Sequence, residues 1–101
     1  MTLRVSFSRH ANEKVKERQI AERAVIAVLQ NPQARFYDTV SRAEIAAGEM
    51  RLQGVTLCLV VVFRRRDDTH HVVTAYPVRD LGSEVERKVK SGRWIPVVRR
   101  G

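Results

Sequence analysis

The chain has 101 residues, enough for one domain with a single core but too few for a core plus a separate catalytic lobe. Nineteen Lys and Arg against eleven Asp and Glu give a net charge of +8, which favours polyanionic partners such as nucleic acid, a ribosomal surface, anionic lipid or an acidic protein. The longest apolar run, Leu57 to Phe63, has seven residues against the ~20 that a membrane-spanning helix requires, so we expect a cytoplasmic protein without a membrane partner.

The first predicted element is a helix from about Arg9 to Gln19. Ser8 is typical of an N-cap, because its hydroxyl can accept a hydrogen bond from a first-turn amide that has no other partner. Ala11, Val15 and Arg18 follow i, i+4, i+7 spacing, so Arg18 falls on the apolar stripe. An arginine on the inward side either pairs with an acid or holds a phosphate, and the pattern leaves both open.

A second helix follows almost without a loop. Its apolar residues recur at i, i+3, i+4, i+7 and i+8 from Ala21 to Leu29, and Asn31-Pro32 ends it. Beyond the proline the pattern becomes β-like, first from Arg35 to Val40 and then, more weakly, from Arg42 to about Val55, where alanine and glycine interrupt it.

The centre of the predicted sheet is the run from Leu57 to Phe63, whose β-branched residues are typical of a strand covered on both faces. Arg64 to Thr69 is predicted as a charged hairpin loop that leads into a strand from His70 to Tyr76. Alternate side chains share one face of a strand. One face of this strand should therefore carry four side chains: His70, Val72, Thr74 and Tyr76.

The C-terminal segment is predicted to form a short helix followed by an extended strand or arm. Ser83 and Glu86 have the spacing of a capping box for a helix from Glu84 to Ser91. The chain would extend again from Trp94, and Pro96 forbids a central place in a sheet because it has no N–H to donate.

These elements predict an α+β fold, with two N-terminal helices packed on a curved antiparallel sheet of about four strands and a short C-terminal helix or arm. The sequence contains no internal repeat, low-complexity tract or linker, so residues 1–101 are predicted as a single domain. Any functional site must share elements with the core.

Several residues fit the metal-free cleavage of RNA. Such cleavage needs a base for the 2′-hydroxyl, a cation for the charged phosphorane and an acid for the leaving 5′-oxygen. His10, in the first helical turn, has an imidazole that can do the first or last step near neutral pH, and Arg18 has a fork of donors that matches phosphate oxygens. Thr74 and Tyr76 would add two hydroxyls, although both residue types are also common in strands because they pack well.

A nucleic-acid contact surface is predicted from the basic residues. The hairpin arginines and the C-terminal residues would form a groove that follows a phosphate backbone, with one indole ring for stacking. The alternative is that the arginines form a solvated turn and the indole closes the edge of the core. Residues 83–101 carry a net charge of +4 and form either an anion-contacting arm or a solubilising end. The predicted contact residues are Lys14, Arg64, Arg65, Arg66, Arg93 and Trp94.

No cofactor or metal is predicted. His70 and His71 should face opposite ways on a strand, and the sequence has no Cys-x-x-Cys or His-x-x-x-His spacing. Cys58 is the one cysteine and lies in an apolar run where nothing activates its thiol, so we expect a small core residue in a reduced protein.

Four segments together resemble the family called domain of unknown function 4258, over about residues 5–78. The basic extension, residues 83–101, lies outside the resemblance. The family commonly has glycine at the position of Gln19. The matching segments are Phe-Ser-x-His-Ala at Phe7 to Ala11, Glu-Arg-x-Ile at Glu17 to Ile20, Asn31-Pro32, and Val-x-Thr-Ala-Tyr at Val72 to Tyr76.

That family is grouped by fold analogy with RelE/ParE-type toxins and the barnase-EndoU-colicin-RelE superfamily. The resemblance implies a metal-independent endoribonuclease, often the toxin of a toxin–antitoxin pair, and our leading hypothesis is a nuclease that leaves a 2′,3′-cyclic phosphate. It implies His10 as general acid/base, Arg18 as phosphate stabiliser, and Thr74 with Tyr76 as groups that orient phosphate or share proton transfer. The expected partners are RNA and an acidic antitoxin protein. The sequence leaves open whether the RNA is bound on the ribosome and whether the protein forms a small homo-oligomer.

The alternative is a non-catalytic basic module that binds RNA or inhibits a protein, since ParE-type relatives of similar shape act by binding gyrase. A third hypothesis is an interaction domain whose basic surface is neutralised by an acidic partner. The nuclease hypothesis requires His10, Arg18, Thr74 and Tyr76 to meet in one solvent-reachable pocket.

Overall fold

In the computed structural model, which describes residues 3–97, six strands form one mixed sheet and three helices pack on its two faces. The strand order is β1-β5-β4-β3-β2-β6, in which β1 runs parallel to β5 and the other neighbours are antiparallel. None of the described helices is long and apolar enough to cross a membrane. The elements are β1 Arg4–Phe7, α1 Arg9–Glu17, α2 Glu22–Gln30, β2 Ala34–Asp38, β3 Ala43–Leu52, β4 Val55–Arg66, β5 Thr69–Val78, α3 Leu81–Lys90 and β6 Trp94–Pro96.

The α+β class is as predicted, but the expected antiparallel sheet of about four strands is wrong, because the described residues form six strands in a mixed sheet. The two additional strands are the edges of the sheet. β1 has four residues, too few to show alternation, and β6 has three. Pro96 lies in that outermost strand, where the missing N–H disrupts no interior ladder.

Each face of the sheet carries its own hydrophobic cluster, and β4 contributes to both. Leu59, Val61 and Phe63 pack against α1 and α2 on what we call the α1–α2 face. Val60 and Val62 pack towards β6 and α3 on the opposite, α3 face. The prediction of a strand covered on both faces is confirmed, and the continuous apolar run follows from that double burial.

The arginine triplet belongs to β4 and not to a loop. Arg64, Arg65 and Arg66 pair with residues 71, 70 and 69 of β5, and the turn is only Asp67-Asp68. The predicted loop from Arg64 to Thr69 is therefore wrong. Strand pairing continues past the end of the apolar run because these side chains, beyond the helical layers, stand in solvent on either face.

A β-bulge divides β5. Val62 pairs with Thr74 while the next residue, Phe63, pairs with Val72, which leaves Val73 as the extra residue. Val72 accordingly lies in the α1–α2 cluster, whereas Thr74 and Tyr76 line a cavity on the α3 face. The prediction that His70, Val72, Thr74 and Tyr76 share a face is wrong, since one inserted residue reverses the alternation.

The caps agree with the sequence at α1 and differ at α3. The Ser8 hydroxyl accepts a hydrogen bond from the Ala11 N–H at 3.0 Å, as predicted. In α3 the N-cap is Asp80, whose carboxylate accepts from the backbone N–H of Ser83 at 3.1 Å and from its hydroxyl at 2.7 Å. The helix therefore begins at Leu81, and the predicted capping box at Ser83 does not form.

Gln19 ends α1 in the left-handed region, with φ of 58°. The Ile20 N–H donates to the Val15 carbonyl at 2.8 Å and the Gln19 N–H to the Lys16 carbonyl at 3.1 Å, which is the Schellman pattern. Glycine adopts this conformation without the steric cost that a Cβ brings. The turn is thus made here by a residue that carries a Cβ, at a position where glycine would fit without that cost.

Replacing Gln19 with glycine should stabilise the protein. We expect Gln19→Gly to raise the free energy of unfolding by about 0.5–1 kcal/mol, because relief of the left-handed strain exceeds the entropy that glycine loses on folding. Urea unfolding followed by circular dichroism measures the change. Gln33→Gly, at an exposed position without positive φ, is the control and should lower stability. Equal destabilisation by both variants would contradict this account.

Candidate functional site

The four residues predicted as a catalytic set do not meet in one pocket. His10 is exposed in the first turn of α1. Arg18, at the C-cap of that helix, donates through Nη1 to the backbone carbonyl of Ala75 at 2.6 Å. This partner is a peptide carbonyl and not the acidic side chain that the sequence offered as one alternative. Thr74 and Tyr76 line a cavity of about 410 Å³ on the α3 face. The sheet therefore separates the helical pair from the strand hydroxyls, and the nuclease hypothesis that assigned its catalytic site to these four residues is wrong in that form.

A hydrogen-bonded network contributes to the lining of the cavity on the α3 face. The Tyr76 hydroxyl donates to Oε2 of the buried Glu84 at 3.0 Å, and Arg87 pairs with the same carboxylate. Burial first, and then the bond to Glu84, raises the pKa of Tyr76 well above its usual value. A phenol with a raised pKa is a poor proton donor to a leaving group, so this arrangement favours a structural role for Tyr76.

A second network on the same face holds Asp38, which is 3% exposed. Its carboxylate accepts from the N–H groups of Val40 at 2.9 Å and Ser41 at 3.0 Å, and pairs with Nε of Arg93 at 3.1 Å. Burial alone would raise the pKa of Asp38, but the hydrogen bonds from Ser41, Val40 and Arg93 together lower it below its usual value.

Two residues predicted to contact nucleic acid serve the core and its edge. Trp94 is 2% exposed, and its ring stacks on Phe36 with centroids 5.0 Å apart. The prediction that this ring stacks on a base is therefore wrong, and the alternative, that the indole closes the edge of the core, is confirmed. Arg93 is engaged by the buried Asp38. Both follow from β6 pairing with β2 at the edge of the sheet.

The other predicted contact residues lie on different surfaces. Lys14 is on α1 and pairs with Glu17 at 3.3 Å. Arg64 and Arg66 are exposed, and Arg64 donates to the Ser41 carbonyl at 2.7 Å. Arg65 alternates with them and lies on the α1–α2 face beside His70, its partner across the ladder. The arginine triplet therefore does not form a single groove.

A groove of about 340 Å³ opens on the α1–α2 face where α2 ends. Pro32 stops that helix, so the sheet beyond it has no helical cover, and the last turn of α2 forms one wall. Arg35 from β2, Arg65 from β4 and His70 from β5 line the groove. Three separate strands thus bring two guanidiniums and an imidazole to one concave surface.

Glu44 on β3 joins the two arginines. Its carboxylate accepts from Nη2 of Arg35 at 3.2 Å and from Nε of Arg65 at 2.8 Å. Two positive charges around one negative charge leave the cluster with a net charge of +1. Each guanidinium carries five N–H donors, so further donors remain for an anion in the groove.

His70 packs on the floor of this groove. Its ring stacks on Phe63 with centroids 5.1 Å apart, and its Nδ1 is buried without a hydrogen-bond partner in the described part of the chain. Burial first, and then the nearby charge of Arg65, lowers the pKa of His70 from its usual value. The imidazole is therefore neutral near pH 7 and able to accept a proton.

Sequence reasoning missed this cluster because it considered His70 only as a metal ligand. Within residues 3–97 no three His, Cys, Asp or Glu side chains are grouped as metal ligands. A signal was present: Asp67-Asp68 as a two-residue turn would have paired Arg65 with His70 directly. Cys58, expected in the core, is only partly buried, and burial raises the pKa of its thiol, which keeps it unreactive.

The comparison with protein families finds a match. The family model described as Domain of unknown function (DUF4258) matches residues 7–81, more than half of the chain. Neither the curated proteins nor the solved structures contain a match. The matched segment includes α1 and the four polar residues of the groove cluster, Arg35, Glu44, Arg65 and His70, and stops before most of α3.

The hydrogen bonds of the buried Asp38 should affect both the stability of the protein and the dependence of that stability on pH. We expect Asp38→Asn to lower the free energy of unfolding at pH 7 by about 1–3 kcal/mol, since buried donors lose a charged acceptor. A carboxylate whose pKa is depressed on folding stabilises the protein above its unfolded pKa of about 3.9 and loses that effect as the pH falls through the folded pKa.

Urea unfolding at pH 7, 5 and 3 measures both effects. The difference between wild type and Asp38→Asn should shrink at the lowest pH. Asp68→Asn, which breaks an exposed ion pair with Arg4, is the control and should change the free energy of unfolding by less than about 1 kcal/mol. A difference for Asp38→Asn that stays constant with pH would contradict the assignment.

Proposed function

We propose that this chain, which belongs to the family described as Domain of unknown function (DUF4258), is a small metal-independent endoribonuclease. The site is the groove of Arg35, Glu44, Arg65 and His70 on the α1–α2 face. A neutral imidazole beside two guanidiniums in a solvent-reachable groove is the observation that carries the proposal. The net charge of +8 supports RNA as the polyanion.

The reaction needs only groups that the groove holds. His70 takes the proton of the 2′-hydroxyl as that oxygen bonds to phosphorus, and the bond from phosphorus to the 5′-oxygen breaks. The 5′-oxygen then takes a proton from the imidazolium or from solvent. The products are a 2′,3′-cyclic phosphate and a 5′-hydroxyl, with no water consumed in this step.

The arginines stabilise the negative charge that develops on the phosphorane oxygens. Arg65 lies beside His70 across the β4–β5 ladder, so a phosphate held by its free N–H groups would sit within reach of the imidazole. Glu44 keeps both guanidiniums in the groove before substrate binds. The carboxylate therefore preorganises the cationic site and does not itself need to transfer a proton.

We extend the proposal to a toxin of a toxin–antitoxin pair, related to RelE/ParE-type proteins, with an acidic antitoxin as partner. Its support is the strongly basic charge and the family resemblance, and it is independent of the groove chemistry. If this extension holds, the purified acidic protein encoded by the gene beside this one should suppress cleavage.

The second candidate function is an RNA-binding module without turnover. One observation favours it: both carboxylate oxygens of Glu44 are engaged by arginines, so among the described residues of the groove cluster His70 has no second acid or base beside it to share proton transfer. Salt-dependent RNA binding with no product would support this candidate, because phosphate contacts release counterions and weaken as salt rises.

Cleavage of single-stranded RNA by the purified protein in EDTA tests the nuclease proposal. We expect His70→Gln to slow cleavage at least about 100-fold, in the range for loss of a general base, with a 2′,3′-cyclic phosphate as the wild-type product. His10→Ala, on the exposed surface of α1, is the matched histidine control and should retain activity. Tyr76→Phe should also retain it.

The opposite pattern would contradict the proposed site: cleavage lost in His10→Ala and kept in His70→Gln. No cleavage by the wild type under any of these conditions would contradict the nuclease function itself. Circular dichroism and thermal unfolding of each variant show that lost activity is not lost folding.

The pH dependence provides an independent prediction. Because burial and Arg65 lower the pKa of His70, its basic form persists below the usual histidine value of about 6.5. Cleavage rates measured from pH 4.5 to 8 should therefore fall on the acid side with an apparent pKa below 6.5. An acid limb at or above 6.5 would show that another group acts as the base.

A further inference from the structure

The groove continues into an uncovered strip of the same sheet face. Tyr37 on β2 is 39% exposed and Ile95 on β6 is 53% exposed, and the two pair directly across the antiparallel ladder. On its other side Tyr37 pairs with Glu44. The register therefore places an exposed phenol ring between the charged cluster of the groove and an exposed aliphatic side chain.

This exposure is specific to one side of β2. Phe36 and Asp38, which flank Tyr37 in sequence, point to the α3 face and are buried. Tyr37 points to the α1–α2 face, where α2 has already ended. The aromatic ring and the adjacent isoleucine form an apolar surface in solvent, and its burial by a ligand would be favourable.

The spacing suits a nucleotide. Neighbouring strands lie about 4.7–4.9 Å apart, so Tyr37 is one strand removed from Glu44 and the guanidiniums that hold it. A phosphate bound by Arg35 or Arg65 would bring the base of the same or the adjoining nucleotide over β2. The charge of the cluster favours an anionic chain, and the ring offers its face to a base.

We propose that Tyr37, backed by Ile95, is a base-stacking subsite that makes the groove selective for unpaired RNA. The inference rests on the proposed function and specifies its substrate class. A base stacked on a protein ring has to leave the helical stack, so loops and single strands qualify and continuous duplex does not. Stacking tolerates any base, so the subsite selects strandedness and not sequence.

Binding measurements with an uncleavable probe test this subsite. A fluorescent 2′-fluoro oligoribonucleotide lacks the attacking hydroxyl and reports binding by anisotropy. We expect Tyr37→Ala to weaken binding about tenfold, in line with the loss of one stacked base, and Tyr37→Phe to stay within about twofold of wild type. A matching strand with abasic positions should bind wild type and Tyr37→Ala equally, and a duplex should bind more weakly than the single strand.

The controls separate this inference from the function on which it rests. Val40→Ala removes an apolar side chain that is 71% exposed and lies just beyond β2, and it should leave binding unchanged. If Arg65→Gln weakens binding and Tyr37→Ala does not, the subsite is overturned and the RNA function stands. If the wild type neither binds nor cleaves RNA, both are overturned.

A protein partner on the same strip is the competing occupant. Light scattering of wild type and Tyr37→Ala after size exclusion measures self-association. A change of molecular mass in the variant, with unchanged RNA affinity, would identify the strip as an interface between copies and would also overturn the stacking subsite.

Discussion

The β-bulge at Val73 determines which side of the sheet each polar group of β5 serves. Before the bulge, His70 and Val72 lie with α1 and α2, and after it Thr74 and Tyr76 lie with α3. Because side chains alternate between the two faces along a strand, one extra residue is enough to place His70 on one face of the sheet and the hydroxyls of Thr74 and Tyr76 on the other. The imidazole thereby joins the arginines of β2 and β4, and the phenol joins the buried network under α3.

The ionic clusters on the two faces have different surroundings and different uses. On the α3 face, Asp38 and Glu84 are buried and their hydrogen bonds are made within the protein, so these groups fix β6 and α3 to the sheet. On the α1–α2 face, Glu44 and its two arginines are only partly buried. A partly exposed ion pair contributes less to stability than a buried one, so in the proposed function its donors would turn to a phosphate at small cost.

Long-range apolar patterns of the sequence predict the centre of the fold well. The stripe of α2 and the apolar run of β4 depend on burial over many residues, and both are found where expected. The edge strands and the bulge depend on single pairings that leave no periodic signal. Val73 and Thr74 are both β-branched, and either register suits them equally, so alternation alone placed Thr74 on the wrong face.

The candidate site was harder to predict than the fold for the same reason. His10 and Arg18 lie on one helix and can be related by helical spacing, but Arg35, Glu44, Arg65 and His70 come from four strands. Their proximity exists only once the register of three ladders is known. Trp94 shows the converse: the sequence left open whether its ring stacks on a base or closes the edge of the core, and the pairing of β6 with β2 buries the ring in the core.

Pro96 has a consequence for how the sheet meets other molecules. It lies in the outermost strand, beside β2, and has no amide hydrogen to offer outwards. At the opposite border β1 spans only four residues. Short or proline-bearing borders discourage edge-to-edge polymerisation, which is the usual hazard of an open sheet. The two borders that the structure describes are therefore poor templates for the addition of a further strand.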